Sequence, residues 1–248
     1  YVQPDDSDDL EYYTNVTDLY ESHYHNSEFH NGHVYLVRRI GDPAENEAWS
    51  DDLWRYDAEG NAKMLFTGQG LDFRVADSEE YIAVSASEQV SFLDGAGNIL
   101  GSLTQQLQIA DNGRLLDGLI GWSDDGQTFW LETGGPDLLW YGKVSAPGWE
   151  LITYDIRGVG MKRPDCEVNP NTGKVVFSDY PMFFEVMSQQ EFEAEGTAVT
   201  LSLYDFESGI KEDIAISAAK QFDPTWLDNQ TIEYNDPLGD GRLTFSLP

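Results

Sequence analysis

Cysteine is almost missing from this chain, which has a single one, Cys166, in 248 residues. A disulfide within the chain and a thiolate metal cluster are therefore both excluded. Cys166 stands between Asp165 and Glu167. Reactive thiolates need an electropositive setting, so we expect this cysteine to pack rather than to react.

Basic residues are scarce: 14 Lys and Arg stand against 45 Asp and Glu, a formal net charge of −31. Phosphate backbones and anionic membrane surfaces both require a basic face, so we expect no nucleic-acid partner and no anionic-lipid partner. The simplest interpretation is a solvated acidic surface that keeps a secreted protein soluble. Adaptation to salt and binding of a cation such as Ca²⁺ stay open as alternatives.

Long hydrophobic runs are also missing, since no apolar stretch approaches 18 residues. The sequence therefore predicts no transmembrane segment. It begins at Tyr1, with neither an initial Met nor a signal peptide. We therefore expect the mature region of a bacterial protein that is extracellular or anchored to the cell surface, for example as a lipoprotein, with its leader or anchor outside this sequence.

The sequence does have internal repeats. Five segments combine a polar turn with a following strand of alternating apolar residues. Their turns are anchored at Gly32, Glu79, Gly126, Gly173 and Asn229, at spacings of 47, 47, 47 and 56 residues. Nearly equal steps of this size are typical of propeller blades.

Each repeat also contains a short strand before the turn and a tight hairpin after it, which makes four short antiparallel strands. The last repeat stops after its third strand, whereas residues 10–17 have strand composition without a blade of their own. We therefore predict an all-β fold: one domain of residues 1–248, a five-bladed β-propeller of four-stranded antiparallel blades. Residues 1–20 complete the last blade and close the ring, which removes two exposed sheet edges.

Three segments carry a resemblance to a known family: Trp122–Phe129, Val168–Val175 and Phe222–Asn229. They resemble the β-propeller repeats of the TolB and dipeptidyl peptidase IV N-terminal type, in which Ser-Pro-Asp-Gly-Lys joins two strands. The resemblance spans most of the chain. It implies the propeller fold but no particular chemistry, because such propellers serve many functions.

Catalytic signatures are weak. The sequence has no Gly-x-Ser-x-Gly elbow, no Walker A loop and no dinucleotide fingerprint. Some five-bladed propellers are glycosidases with carboxylates in the central cleft. Asp72, Glu132 and Asp179 lie near predicted strand ends and are the candidates for that role. A glycan-active hydrolase therefore remains the alternative function.

Metal binding has two candidate segments. Four histidines, His23, His25, His30 and His33, fall within eleven residues and could hold Zn²⁺. Residues 236–241 offer oxygen ligands and a glycine turn for Ca²⁺. Neither segment has the spacing of a known site, so we predict no metal and no other cofactor.

The long loops are the better functional candidates. Residues 41–52 and 180–198 join second to third strands, and residues 105–119 and 155–164 join blades, so all four should emerge at one end of the sheets. The apolar stretch 181–187 is either a contact patch or a plug over the channel. The basic residues near 160 form either a local ion-pair network or a site for an anion or an acidic partner. The predicted ligand-binding residues are Trp49, Arg157, Lys162, Arg163, Phe183 and Phe184.

From these loops we expect a monomeric, non-enzymatic binding or scaffolding module that takes a protein or glycan partner on the long-loop face. Aromatic and Arg side chains are the types that carry binding energy in interfaces. The sequence does not name the ligand.

The charge excess predicts that stability depends on salt. Uncompensated negative charges repel one another in a compact fold, and the screening length falls from about 10 Å at 0.1 M salt to about 3 Å at 1 M. We expect the melting temperature to rise as sodium chloride is added over that range. A melting temperature that does not change would mean that the acids are already neutralised locally.

Overall fold

The computed structural model describes residues 24–41, 48–86, 89–103, 116–133, 140–156, 158–161, 165–181 and 189–247. Within these ranges the chain forms nineteen strands and one helix, and the strands make five sheets, numbered here in chain order. In the same ranges, no helix is both long enough and apolar enough to cross a membrane.

Each of the first four sheets has four strands, and the fifth has three. The strands of sheets 1 and 2 are Tyr24–His30 (β1), His33–Ile40 (β2), Ser50–Tyr56 (β3), Ala62–Gly68 (β4), Asp72–Val75 (β5), Tyr81–Ala86 (β6), Gln89–Asp94 (β7) and Ile99–Ser102 (β8). Those of sheets 3 to 5 are Leu116–Trp122 (β9), Thr128–Thr133 (β10), Trp140–Ser145 (β11), Glu150–Asp155 (β12), Cys166–Asn169 (β13), Lys174–Ser178 (β14), Ala198–Asp205 (β15), Lys211–Ala218 (β16), Thr225–Trp226 (β17), Thr231–Asn235 (β18) and Arg242–Ser246 (β19).

Every sheet is a meander, in which strands that follow one another in sequence lie side by side. Pairing is antiparallel throughout sheets 1, 2, 4 and 5. The predicted four-stranded antiparallel unit is therefore confirmed. No described sheet closes on itself, and the number of blades and the closure of a ring stay predictions. Residues 1–20, which we expect to complete the last blade, lie outside the described residues.

One helix departs from the all-β prediction, so the chain is nearly all-β. Helix α1 spans Gln189–Glu195 in the connection between β14 and β15, which the sequence analysis treated as a plain loop. Its residues are mostly Gln, Glu and Ala, which favour helix. Phe192 is buried against Tyr180, with ring centroids 5.7 Å apart, and belongs to the apolar core of sheets 4 and 5, which holds this short helix in place.

The hairpins of sheets 1 and 2 show why the sequence repeats Asp-x-x-Gly-Asn. Asp57 Oδ1 accepts the amide of Asn61 at 2.8 Å, and its Oδ2 accepts the Asn61 side-chain amide at 2.8 Å. Gly60 has φ +81°, a conformation that glycine adopts without strain. Residues 94–98 repeat the same bonds in the next hairpin. The aspartate closes the turn and the glycine permits it.

The chain divides into two compact units. The first comprises Tyr1–Phe129 and Val144–Leu151, and the second comprises Trp130–Lys143 and Ile152–Pro248. The principal core of the first unit lies between sheets 1 and 2 and contains Tyr35, Val37, Leu53, Leu65, Leu71, Phe73, Val75, Ile82, Val84, Ala86 and Leu93. That of the second unit joins sheets 4 and 5 and contains Val176, Tyr180, Phe192, Val199, Leu201, Leu203, Ala219, Phe222, Ile232 and Tyr234.

Aromatic packing also secures sheet 2 in the first unit. Trp149, in the turn that follows β11, stacks on Phe92 of β7 with ring centroids 4.5 Å apart. Trp122 of β9 packs against Phe129 at 4.8 Å. Gly101 of β8 lies directly against Trp149: a Cβ at this position would come within 2.7 Å of two indole atoms. The tryptophan therefore requires glycine at position 101.

Gly101→Ala should destabilise the protein by about 1–3 kcal/mol, because the added methyl group overpacks a closed aromatic contact. Gly148→Ala is the matched control, since Gly148 adjoins the same tryptophan but a Cβ added there would meet no atom within 4 Å. The control should stay within about 0.5 kcal/mol of the unchanged protein. Urea unfolding of both variants measures the difference, and equal midpoints would contradict the close contact.

Candidate functional site

Of the six predicted ligand-binding residues, Trp49 lies in the described part of the chain. Arg157, Lys162, Arg163, Phe183 and Phe184 lie outside it, so their placement on the long-loop face stays a prediction. Trp49 directly precedes β3, at the end of sheet 1 from which the connection between β2 and β3 emerges. Its side chain is half-buried.

Arg39, near the end of β2, holds the Trp49 ring in place. The guanidinium carbon lies 4.8 Å from the centroid of the indole, a cation–π arrangement. Gln69 Nε2 donates to the Trp49 carbonyl at 3.1 Å and fixes the backbone on the other side. Ile40, next to Arg39, is 48% exposed. Sheet 1 thus presents an aromatic ring, an arginine and an exposed isoleucine at this end.

Asp51 binds the guanidinium group of Arg39 and so fixes its position. Its carboxylate is buried and accepts Arg39 Nε at 2.9 Å and Nη2 at 3.3 Å. It also accepts the backbone amides of Gly70 and Leu71, at 3.0 and 3.2 Å, from the connection to sheet 2. Burial alone would raise the pKa of Asp51, but the bonds from Arg39 and the two amides outweigh it and lower the pKa below its usual 3.8. The carboxylate is therefore charged and fully committed to structure.

A buried aspartate also binds two consecutive backbone amides in the second unit. Asp165 is buried just before β13 and accepts the amides of Phe222 and Asp223, at 3.1 and 2.6 Å, from the connection to sheet 5. The Ser178 hydroxyl donates to the same carboxylate. In both units a buried aspartate thus fixes the backbone that enters the next sheet at its long-loop end.

Two of the predicted loops are tied down where the structure describes them. Ile156 and Met161, in the connection between sheets 3 and 4, are buried. In the connection between β14 and β15, Tyr180 and Phe192 are buried too. The described ends of both connections are therefore buried rather than free in solvent. Whether the apolar stretch 181–187 is a patch or a plug stays open, because residues 182–188 lie outside the described residues.

The first strands carry a polar row in the first unit. Arg74 Nη1 of β5 lies 3.1 Å from Asp72 Oδ1 and 3.8 Å from Glu28 Oε1 of β1. Asn26 Nδ2 donates to Asp72 at 2.6 Å, and Glu28 Oε2 accepts the amide of Val75 at 2.8 Å. Burial raises the pKa of Glu28, although the amide and the nearby cations oppose it. The row joins the first strands of sheets 1 and 2.

An equivalent bond joins sheets 4 and 5. Glu167 Oε2 of β13 accepts the amide of Trp226 of β17 at 2.9 Å, and the Trp226 indole returns a bond to the Glu167 carbonyl at 3.1 Å. Burial raises the pKa of Glu167 as well, with Asp223 adding to the shift. The Trp122 indole makes the corresponding bond to the carbonyl of Arg74 in the first unit, at 3.0 Å. The repeated pattern indicates that these carboxylates brace neighbouring sheets.

The other two candidate catalytic carboxylates are also bonded. Asp179 Oδ1 accepts the amide of Thr200 at 2.7 Å across the start of β15. Glu132 lies in β10 and also interacts with another group of the protein. Asp72, Glu132 and Asp179 sit on three different sheets, and the described contacts bring none of them together.

The described histidines contact acids. His30 Nε2 lies 3.2 Å from a Glu28 oxygen, and His33 Nδ1 lies 3.0 Å from both oxygens of Glu79. His23 lies outside the described residues, and the structure describes only the backbone of His25. Among the residues whose placement is described, no group of three or more His, Cys, Asp or Glu is arranged to hold a metal ion.

Residues 236–241, the alternative Ca²⁺ segment of the sequence analysis, bind the side chain of a lysine. Lys220 Nζ donates to the carbonyl of Asp236 at 2.6 Å and also to that of Gly239. The ammonium group thus takes carbonyl oxygens that a cation would need. Asp236 Oδ1 accepts the amide of Leu238 at 2.8 Å, as in an ordinary turn. This segment is a hairpin closed by a lysine.

Comparison with solved structures identifies the fold. The acylaminoacyl peptidase of Pyrococcus horikoshii is similar over 88% of this chain and 36% of its own, with a TM-score of 0.55 and 12% identity. The β-propeller domain of the Trilobed protease from Pyrococcus furiosus, which has an open velcro topology, is similar over 86% of this chain and 62% of its own (TM-score 0.53, 9% identity). An oligogalacturonate lyase in complex with manganese is similar over 91% of this chain and 65% of its own (TM-score 0.54, 11% identity).

The chain therefore spans about a third of the peptidase and just under two thirds of the other two proteins. No protein-family model and no curated protein matches the sequence significantly. At these identities the likeness establishes the fold and leaves the activity open.

Asp51→Asn should lower the free energy of unfolding at pH 7 by about 2–3 kcal/mol, because the amide keeps one acceptor but leaves the partly buried Arg39 without its counter-charge. A lowered folded-state pKa contributes stability that is present above the unfolded pKa and is lost as the pH falls through the folded value. The gap between the two proteins should therefore be constant above about pH 5 and shrink below pH 4. Glu59→Gln, at an exposed turn position, is the control.

Unfolding in urea at a series of pH values gives both curves. A gap that persists unchanged at pH 2–3 would show that the charge of Asp51 contributes nothing.

The predicted resemblance to propeller repeats of the TolB and dipeptidyl peptidase IV N-terminal type is confirmed at the level of the fold, and the chain has a β-propeller-like fold.

Proposed function

We propose that this propeller is a non-enzymatic binding or scaffolding module, and that its contact surface is the long-loop end of the sheets. The observation that carries the proposal is the arrangement of Trp49, Arg39 and Asp51. A half-buried aromatic ring is held by an arginine, which is itself held by a buried carboxylate. Tryptophan and arginine are the residues that most often dominate binding energy at interfaces.

Rigidity makes this arrangement suitable for binding. Ordering flexible side chains on association costs about 0.5–1.5 kcal/mol for each of them. Arg39 and Trp49 are already ordered by contacts within sheet 1 and by Gln69. Ile40 adds exposed apolar surface beside them. The predicted partner residues Arg157, Lys162, Arg163, Phe183 and Phe184 would extend this surface.

The described carboxylates support binding over hydrolysis. A glycosidase needs one carboxylic acid and one carboxylate facing a substrate across a cleft. Asp72 accepts Asn26 and Arg74, Glu28 accepts the amide of Val75, and Asp179 accepts that of Thr200. These side chains are committed to joining strands, which leaves them poorly suited to proton transfer.

A glycan-active hydrolase is the second candidate, because one observation favours it. Glu28 and Asp72 both approach Arg74, and burial raises the pKa of Glu28. A carboxyl group with a raised pKa close to a second carboxyl group is an arrangement that glycoside hydrolysis uses. In this interpretation Glu28 is the general acid and Asp72 is the second carboxyl group of the pair.

The finer architecture belongs to the same proposal. We infer one domain of residues 1–248 with five blades, in which residues 10–17 pair with β19 and close the ring. The three-stranded fifth sheet, beside four sheets of four strands, supports this inference because β19 is an outer strand of its sheet among the described residues. The protein is monomeric and works outside the cell or at the bacterial surface. Its partner is a protein or a glycan.

Trp49→Ala should weaken partner binding about tenfold or more without changing the fold, since truncated hot-spot residues typically cost about 2 kcal/mol or more. Leu227→Ala, at an exposed position in the turn between β17 and β18, is the matched control and should bind like the unchanged protein. Partners are first isolated on the immobilised protein from cell-surface fractions and on glycan arrays. Affinities are then measured by surface plasmon resonance, and melting curves verify folding.

Unchanged affinity in Trp49→Ala would refute the proposed surface. Turnover of a glycan that is lost in Glu28→Gln and in Asp72→Asn would establish the hydrolase instead.

A further inference from the structure

Two hydrogen-bond donors at the long-loop end of sheet 1 point to the class of ligand that fits there. Arg39 gives Nε–H and Nη2–H to Asp51, whereas its Nη1 has no acceptor among the described residues. The Trp49 indole Nε1–H likewise has no acceptor in the described part of the chain. Neither nitrogen is one of the buried donors without a partner, so both can be reached from solvent. Asp51, the strong acceptor of this group, has a side chain that is only 1% exposed.

The Trp49 ring has one face left for a ligand. The Arg39 guanidinium covers the other face, with its carbon 4.8 Å from the indole centroid. Because the side chain is half-buried, its exposed part lies on the uncovered face and along the ring edge. The face of an aromatic ring carries partial negative charge and attracts polarised C–H groups. The pyranose ring of a sugar has a face of such C–H groups, and oxygens at its edge that accept hydrogen bonds.

The size of this surface favours a sugar over a protein. Stable protein interfaces bury about 800 Å² on each partner, whereas one large aromatic side chain contributes about 150–250 Å². The described part of the surface consists of one half-buried indole, the 25%-exposed side chain of Arg39 and the exposed Ile40. A single sugar ring covers an indole, and a few well-placed polar groups are enough to orient a small ligand.

The charges favour a neutral sugar. Asp51 Oδ1 lies 2.9 Å from Arg39 Nε, so the positive charge of the arginine is compensated within the sheet. The whole chain carries a net charge of −31, which repels an acidic glycan. A cationic ligand would meet two donors and no accessible carboxylate of this group. Hydroxyl and ring oxygens of a neutral sugar accept hydrogen bonds without adding charge.

We propose that the long-loop end of sheet 1 binds a neutral glycan, with one sugar ring stacked on the free face of Trp49. Sugar oxygens accept hydrogen bonds from Trp49 Nε1–H and Arg39 Nη1–H, and Ile40 borders the sugar on its apolar side. This inference rests on the proposed contact surface and names the class of its ligand.

Nuclear magnetic resonance of the full chain tests the contact with defined probes. The neutral probes are hexasaccharides of glucose, mannose and N-acetylglucosamine, and a hexasaccharide of mannuronate is the acidic counterpart. The Trp49 indole signal is assigned by its loss in Trp49→Phe. It should move when a neutral probe is added, because its proton gains an acceptor. The Trp54 indole proton, which is buried, is the internal control and should stay in place.

Affinities for the neutral probe separate stacking from hydrogen bonding. Trp49→Phe keeps an aromatic ring but removes the donor, so binding should weaken about three- to tenfold. Trp49→Ala removes both and should weaken binding further, by about tenfold or more. Trp54→Phe, the same substitution in β3, is the matched control and should bind like the unchanged protein. Melting curves verify that each variant is folded.

The outcomes distinguish this inference from the proposed function. If no neutral probe moves the Trp49 signal, or if the mannuronate probe binds more tightly, the assignment of a neutral glycan is wrong. The contact surface itself still stands if a protein partner isolated from cell-surface fractions loses affinity in Trp49→Ala. If neither the saccharides nor such a partner distinguishes Trp49→Ala from the unchanged protein, both proposals fail.

Discussion

Each unit of this propeller depends on carboxylates that accept backbone amides from the next sheet. Asp51 and Asp165 each accept two consecutive amides in the connection that follows their sheet, and Glu28 and Glu167 each accept an amide of the next first strand. The amides of Leu71 and Phe222 are in buried surroundings, where a backbone donor without a partner would be costly. A carboxylate is the strongest acceptor available for them.

This constraint explains part of the acidic composition. Of 45 acids, some are structural ligands of the backbone rather than surface charge. Their pKa values divide by surroundings: Arg39 and two amides lower that of Asp51, whereas burial raises those of Glu28 and Glu167. The lowered pKa of Asp51 stabilises the folded state at neutral pH. The raised pKa values of Glu28 and Glu167 mean that folding disfavours their charged forms, so these two residues contribute less to stability as the pH rises. Both glutamates occupy places where burial disfavours their charged form, and their bonds fix how adjacent sheets meet.

Local chemistry was predictable from the sequence, and contacts between sheets were not. The Asp-x-x-Gly-Asn hairpins follow from turn rules, and the 47-residue spacing correctly predicted repeated antiparallel meanders. Trp49 was recognised as an aromatic residue in a loop. Arg39 lies inside β2, and Asp51, which the sequence analysis placed in the loop of residues 41–52, belongs to β3. Both were missed because they meet only through the register of β2 with β3. The opposite charges of Arg39 and Asp51 were the signal in the sequence. It becomes visible only when β2 and β3 are aligned in the antiparallel register that places the two residues opposite each other.

The short helix and the role of Lys220 in closing the hairpin at residues 236–241 were missed for a related reason. Seven residues are too few for a helical period to be recognised, and Phe192 holds α1 only because sheet 4 is there to receive it. Residues 236–241 have the composition of a cation site, but Lys220, sixteen residues before Asp236, supplies the cation. In both cases a residue that is distant in sequence decides the structure of a short segment. The same dependence on support applies to Trp49, because a half-buried ring becomes a usable contact only when Arg39 and Asp51 prevent it from moving.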